Sequence, residues 1–83
     1  MTYEEELDLT ADRMRGLSDS RLQGHAETFR QTLELLTDRP VPQLPPRAWG
    51  DQLVVIGWEV PAQRRPELVS ALVALRRCFD LLP

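Results

Sequence analysis

The sequence contains no lysine and no asparagine, and it has one cysteine, one histidine and one tyrosine. A single cysteine, Cys78, excludes an intrachain disulfide and fits a reducing compartment. Together with His25 it provides too few nitrogen and sulfur ligands for a structural zinc site, so we expect no metal and no cofactor. Every basic residue is arginine, a usage typical of GC-rich bacterial genomes.

Long apolar runs are also missing from the sequence. The longest, at residues 71–75, has five residues, whereas a helix that crosses a bilayer needs about 20 apolar residues. The N-terminus is acidic at Glu4, Glu5 and Glu6, where a secretory signal peptide would be basic. We therefore expect a cytoplasmic protein with no membrane partner.

The charge is low and unevenly distributed. The chain carries a formal net charge of -3 and a pI of about 5.0, whereas nucleic-acid binders usually present a basic face. Residues 1–38 contain nine acids against four arginines, and residues 39–83 contain six arginines against four acids. The two halves are expected to attract each other, within one chain or between chains.

The periodicity of apolar residues predicts an all-α single domain spanning residues 1–83. Helices are predicted at about 2–15, 19–38, 46–60 and 66–82, with a proline-rich connector at 40–46. Such helices would form a four-helix bundle, two packed helical hairpins, or one core shared by two chains.

In each helix the apolar residues recur every three or four positions and so lie on one side. They predict a core formed by Tyr3, Leu7, Thr10, Met14 and Leu17; by Leu22, Ala26, Phe29, Leu33 and Leu36; by Trp49, Leu53, Ile56 and Val60; and by Leu68, Leu72, Leu75, Phe79 and Leu82.

The third segment has a competing interpretation, because residues 52–60 are rich in strand-forming side chains. The four-three-four spacing, the absence of alternation and the lack of a partner strand favour a helix. Pro46 suits its first turn and Pro61 its end.

Gly50 and Gly57 lie on one side of this helix and together destabilise it by about 2 kcal/mol. We expect another helix to approach closely there.

The third helix also provides the candidate binding site. Trp58 and Val54 fall opposite its core stripe, beside Arg47 and Asp51. Trp and Arg are frequent at interaction hot spots, so these four residues are the predicted partner-binding site. The alternative is that Trp58 covers another helix of the same chain.

Three further features favour structural roles. His25 and Cys78 lack the neighbouring base or ligands that catalysis or metal binding requires, so each is predicted to pack structurally. Residues 42–47 match the PxxPxR pattern of SH3 ligands, although a stiff linker is the preferred interpretation. Asp19-Ser20 resembles the modified serine site of acyl carrier proteins, but Arg21 replaces the apolar residue that follows in that family.

We therefore expect a small protein-interaction module, such as an adaptor, regulator or accessory subunit, that forms a homodimer or binds another protein. It is expected to act without catalytic residues, and the sequence implies no small-molecule partner. The alternative is a small DNA-binding regulator, in which Arg64, Arg65, Arg76 and Arg77 flank a recognition helix. An enzyme or carrier subunit has the least support.

Overall fold

The computed structural model describes residues 2–81, so the predicted core residue Leu82 lies outside the described part. Five α-helices occur in this range, and two single 3-10 turns precede the last two helices. The helices are α1 (Tyr3–Arg15), α2 (Asp19–Gln23), α3 (Ala26–Thr37), α4 (Trp49–Glu59) and α5 (Arg65–Asp80), with the turns at Pro46–Ala48 and Ala62–Arg64. Residues 2–81 contain no strand, which confirms the all-α prediction and the helical interpretation of the third segment. None of these helices is long and apolar enough to cross a membrane.

The long predicted helix at 19–38 is in fact two helices, and that prediction was wrong. The chain turns at Gly24 and His25, where His25 has φ −115° and ψ 23°. α2 lies against the 3-10 turn at Pro46–Ala48, whereas α3 packs on α4 and α5. Because the two halves contact different parts of the molecule, one straight helix cannot satisfy both.

Local signals at the helix ends agree with the sequence. The hydroxyl of Thr2 accepts a hydrogen bond from the Glu5 backbone N–H, and the Glu5 carboxylate accepts one from the Thr2 N–H. This reciprocal capping box satisfies two donors that the first turn of α1 would otherwise leave unpaired. Pro66 occupies the first turn of α5, where its missing N–H costs no helical hydrogen bond.

The core lies where α4 and α5 meet α1 on one side and α3 on the other. Most of the predicted apolar stripe is buried in it. The buried apolar residues are Tyr3, Leu7, Ala11, Met14, Leu22, Phe29, Leu33, Leu36, Trp49, Leu53, Val60, Leu68, Leu72, Leu75 and Phe79. Three stripe residues, Leu17, Ala26 and Ile56, are half-buried and pack against its edge.

The two glycines of α4 mark a close approach of another helix, as the sequence predicted. A Cβ at position 50 would lie 2.9 Å from Cγ of Arg15, and one at position 57 would lie 2.5 Å from Cδ1 of Leu7. Both neighbours belong to α1, which crosses α4 over its glycine side. The absent side chains therefore allow α1 to approach, and this contact offsets the helix-propensity cost of glycine.

A charged pair also lies at the contact between α1 and α5. Glu6 is 4% exposed, and its carboxylate accepts hydrogen bonds from Nε and Nη2 of Arg76 at 3.2 and 3.3 Å. A buried carboxylate needs such partners because it has lost its hydration. The pair therefore orients α1 relative to α5 without adding apolar contacts.

Candidate interaction surface on α4 and the connector

The solvent side of α4 exposes two large apolar side chains. Val55 is 59% exposed and Trp58 is 49% exposed, and the two lie one helical turn apart. With Asp51 one turn before Val55, they form what we call the α4 face. Single exposed apolar residues are common on protein surfaces, but adjacent ones indicate a binding surface more strongly.

Trp58 is held in place by Arg65. The Arg65 guanidinium carbon lies 4.9 Å from the centre of the indole ring, and Nη2 donates a hydrogen bond to the Trp58 carbonyl oxygen at 2.9 Å. Arg65 also donates to the carboxylate of Glu4 and to the Val60 carbonyl oxygen, both at 2.9 Å. An arginine fixed at several points restrains the indole that it covers, which reduces the entropy that Trp58 would lose on binding.

The four residues predicted as the site are placed differently. Trp58, Arg47 and Asp51 are exposed, whereas Val54 is half-buried and packs against the core. Asp51 accepts a hydrogen bond from Nη2 of Arg15 at 2.7 Å, and this contact is the main cause of the raised pKa of Arg15. Val54 lies between Gly50 and Gly57, two positions of α4 that contact residues of α1.

An apolar cleft of about 380 Å³ adjoins the α4 face. Its walls are α4 on one side and the proline-rich connector on the other. Pro42, Leu44, Ala48, Val55 and Ile56 provide the apolar lining, beside Asp51 and Gln52. Since Val55 belongs to both features, the α4 face and this apolar cleft form one continuous surface.

Two hydrogen bonds hold the connector against α4. Nε2 of Gln52 donates to the Pro42 carbonyl oxygen, and Nε1 of Trp49 donates to the Leu44 carbonyl oxygen, both at 2.9 Å. Pro45 has polyproline geometry, with φ −62° and ψ 150°, and the next residue begins a 3-10 turn. The PxxPxR segment is therefore not presented as one polyproline helix, which favours the linker interpretation.

No family model matches this chain, and the curated proteins and solved structures searched contain no significant match.

His25 and Cys78 are the two residues considered above for catalysis or metal binding. The His25 ring meets the Phe79 ring edge-on, with 5.5 Å between centroids, and Cys78 is half-buried. Among residues 2–81, no cluster of three or more histidine, cysteine, aspartate or glutamate side chains has a geometry that could hold a metal ion.

Most arginines form ion pairs with carboxylates. In the described part of the chain, six arginines form ion pairs, and each pair joins an arginine to an acid of the same or a neighbouring segment. The pairs are Arg13–Asp80, Arg15–Asp12 and Asp51, Arg30–Glu27 and Glu34, Arg64–Glu67, Arg65–Glu4, and Arg76–Glu6 and Asp80.

Sequence reasoning missed three residues of this surface: Val55, Leu44 and Arg65. Val55 had a usable signal, because a helical rotation of about 100° per residue places it beside Asp51 and Trp58. Leu44 and Arg65 had none. Their contacts with α4 depend on the path of the connector and on the turn after Pro61, which periodicity does not describe.

Proposed function

We propose that this protein is a non-enzymatic protein-interaction module that binds its partner through the α4 face and the adjoining apolar cleft. One observation carries the proposal: Trp58 is half-exposed on the α4 face yet held in a defined position by Arg65. An indole that is ordered before binding is typical of an interface anchor.

The composition of the surface supports a protein partner. Val55 and Trp58 project from the helix, and the cleft beside them is lined mainly by carbon atoms. Such a surface offers a partner both projecting side chains and a depression to fill, as cores of protein interfaces do. Arg64, Arg65 and Arg76 pair with carboxylates, and this local balance of charge does not favour the alternative of a DNA-binding regulator.

We propose a second copy of the chain as the first partner. A domain of 83 residues buries a limited core, and self-association is a common source of added stability at this size. Asp51, Val55 and Trp58, the residues of the α4 face, lie on one side of one helix. A two-fold axis across α4 would therefore bring the same residues of both copies together.

Light scattering coupled to gel filtration tests this proposal. We expect a species of twice the 9.5 kDa chain mass, with the monomer fraction rising on dilution. A wild-type monomer at every concentration would overturn the homodimer.

Affinity capture then tests the surface itself, with wild type and Trp58→Ala as baits. A partner recovered equally by both baits would show that the α4 face is not the binding surface.

A further inference from the structure

A second cleft, of about 340 Å³, lies on the opposite side of the connector, against α3. We call it the α3 cleft. Its floor contains Phe29, Leu33 and Trp49, all at most 5% exposed. The rings of Phe29 and Trp49 are stacked, with centroids 4.6 Å apart and an interplanar angle of 18°. Its volume is at the lower end of the range for small-molecule sites, about 300–1,000 Å³.

Gln52 is the buried polar residue among those that line the α3 cleft. It is 8% exposed. A carbonyl oxygen can only accept, so the contact with the Pro42 oxygen must be made by the amide nitrogen. That requirement fixes the orientation of the amide and directs Oε1 away from Pro42.

Oε1 of Gln52 is available to a ligand. In residues 2–81 it accepts no hydrogen bond, although every fully buried side-chain nitrogen or oxygen in this range has a partner. The unbonded oxygen is therefore not sealed in the core but can be reached from a cleft. Gln52 also borders the apolar cleft, but only the α3 cleft combines polar side chains with an aromatic floor.

The charge around the α3 cleft does not favour the binding of a charged ligand. Arg30 is the one charged residue among those described that line it. Its guanidinium pairs with the carboxylate of Glu27 and, at 2.7 Å, with that of Glu34. A cation held between two carboxylates has little attraction left for an anionic ligand.

We propose that the α3 cleft binds a neutral, flat molecule of one or two aromatic rings, which packs on the Phe29–Trp49 floor and donates an N–H to Oε1 of Gln52. The floor, together with Val41 and the connector prolines that line the cleft, provides the apolar contact area. The buried amide provides the selectivity, because a ligand without a donor leaves a desolvated oxygen unpaired. The α3 cleft shares Pro42, Leu44 and Gln52 with the apolar cleft but no residue with the α4 face. The proposal does not depend on the proposed protein partner.

Indole and 1-methylindole are suitable probes, because they differ mainly in the N–H donor. Titrations followed by ¹H–¹⁵N NMR would use the two tryptophan side chains as reporters. Trp49 lies in the α3 cleft, whereas Trp58 lies on the α4 face. We expect indole to shift the Nε1–H resonance of Trp49 saturably and to leave that of Trp58 unchanged. The 1-methylindole should bind about tenfold more weakly, the effect of one buried hydrogen bond.

Two variants distinguish the role of Oε1 as an acceptor from the role of the hydrogen bond between Gln52 and Pro42. Gln52→Leu removes both the acceptor and the bond to Pro42, and we expect it to lose the preference for indole. Gln52→Glu removes the bond to Pro42 but retains acceptor oxygens, and we expect it to keep the preference. Loss of the preference in both variants would assign it to the connector and overturn the role of Oε1.

The wild-type measurements decide the proposal even if a variant fails to fold. Equal affinity for the two probes would overturn it. A saturable shift at Trp58 instead of Trp49 would also overturn it. The absence of any saturable shift up to about 10 mM probe would do the same, because a ligand of so few atoms is expected to bind weakly but within that range.

Discussion

Leu7 occupies the space that a side chain at Gly57 would need. A Cβ built on Gly57 would lie 2.5 Å from Cδ1 and 2.7 Å from Cδ2 of Leu7, which is completely buried. The same residue, Gly57, accepts a hydrogen bond from the Tyr3 hydroxyl through its carbonyl oxygen at 2.7 Å. The position of α1 on α4 is thus set by one absent side chain and one backbone acceptor, and the α4 face is the side that this packing leaves open.

Gly57→Ala should destabilise the fold. The added methyl group overlaps a leucine that the surrounding core prevents from moving, and overpacking of this kind costs about 1–3 kcal/mol, which the helix propensity gained, about 1 kcal/mol, only partly offsets. Chemical denaturation measures the difference. Gly24→Ala is the matched control, because Gly24 has φ −63° and its nearest neighbour to a new Cβ is 3.7 Å away. It should be neutral or slightly stabilising, and an equal loss in both variants would contradict the packing argument.

Tyr3 should make the free energy of unfolding fall at alkaline pH. Burial is the main cause of the raised pKa of Tyr3, above its ordinary value of 10.0, and Arg65 partly opposes it. Above pH 10 the Tyr3 hydroxyl of the unfolded chain ionises, whereas that of the folded chain keeps its proton. The contribution of Tyr3 to the free energy of unfolding is therefore complete below pH 10 and is lost as pH rises through the pKa of the folded state.

The measurement is direct because the chain has one tyrosine. Absorbance titration of the folded protein reports its pKa, and denaturation at several pH values reports the loss of stability. Tyr3→Phe should be less stable at neutral pH by about 1 kcal/mol, the contribution of a typical hydrogen bond. It should also lack the part of the alkaline decline that arises from Tyr3. An unchanged decline in Tyr3→Phe would assign it to other groups.

Glu6→Gln should lower the free energy of unfolding by about 2 kcal/mol, because the buried Arg76 contact would lose its charged acceptor. Glu6 is 4% exposed, whereas Asp12 is an exposed acid that pairs with Arg15 on the same helix. Asp12→Asn is the control and should remain close to wild type, since exposed ion pairs contribute little. Thermal denaturation of both variants would test this, and similar losses would contradict the importance of burial.

Trp58→Ala should weaken self-association by about 2 kcal/mol or more, as loss of a central aromatic anchor does. Sedimentation equilibrium on wild type and variant measures the change. Leu9 is 43% exposed on α1 and provides a comparable apolar control. Leu9→Ala should leave the dissociation constant unchanged. An equal effect of the two substitutions would indicate general surface hydrophobicity rather than a defined interface.

The sequence alone determined the helices that carry the core, because burial of one side imposes a helical period on apolar residues. Leu7, Leu53, Leu72 and Phe79 were all predicted to be buried and are completely so. The close approach at Gly50 and Gly57 was also predictable, since glycine in a helix has a cost that packing must offset.

Only the tertiary structure decided which helices meet and what they cover. The break at Gly24 and His25 arises because α2 and α3 contact different neighbours, a fact that no local pattern contains. Val54 and Val55 are adjacent in sequence, yet Val54 packs against the core and Val55 is exposed. Likewise, Arg65 reaches Trp58 across the turn that follows Pro61. Periodicity identifies the side of a helix that is apolar, but contacts between distant segments determine which of its residues remain available for binding.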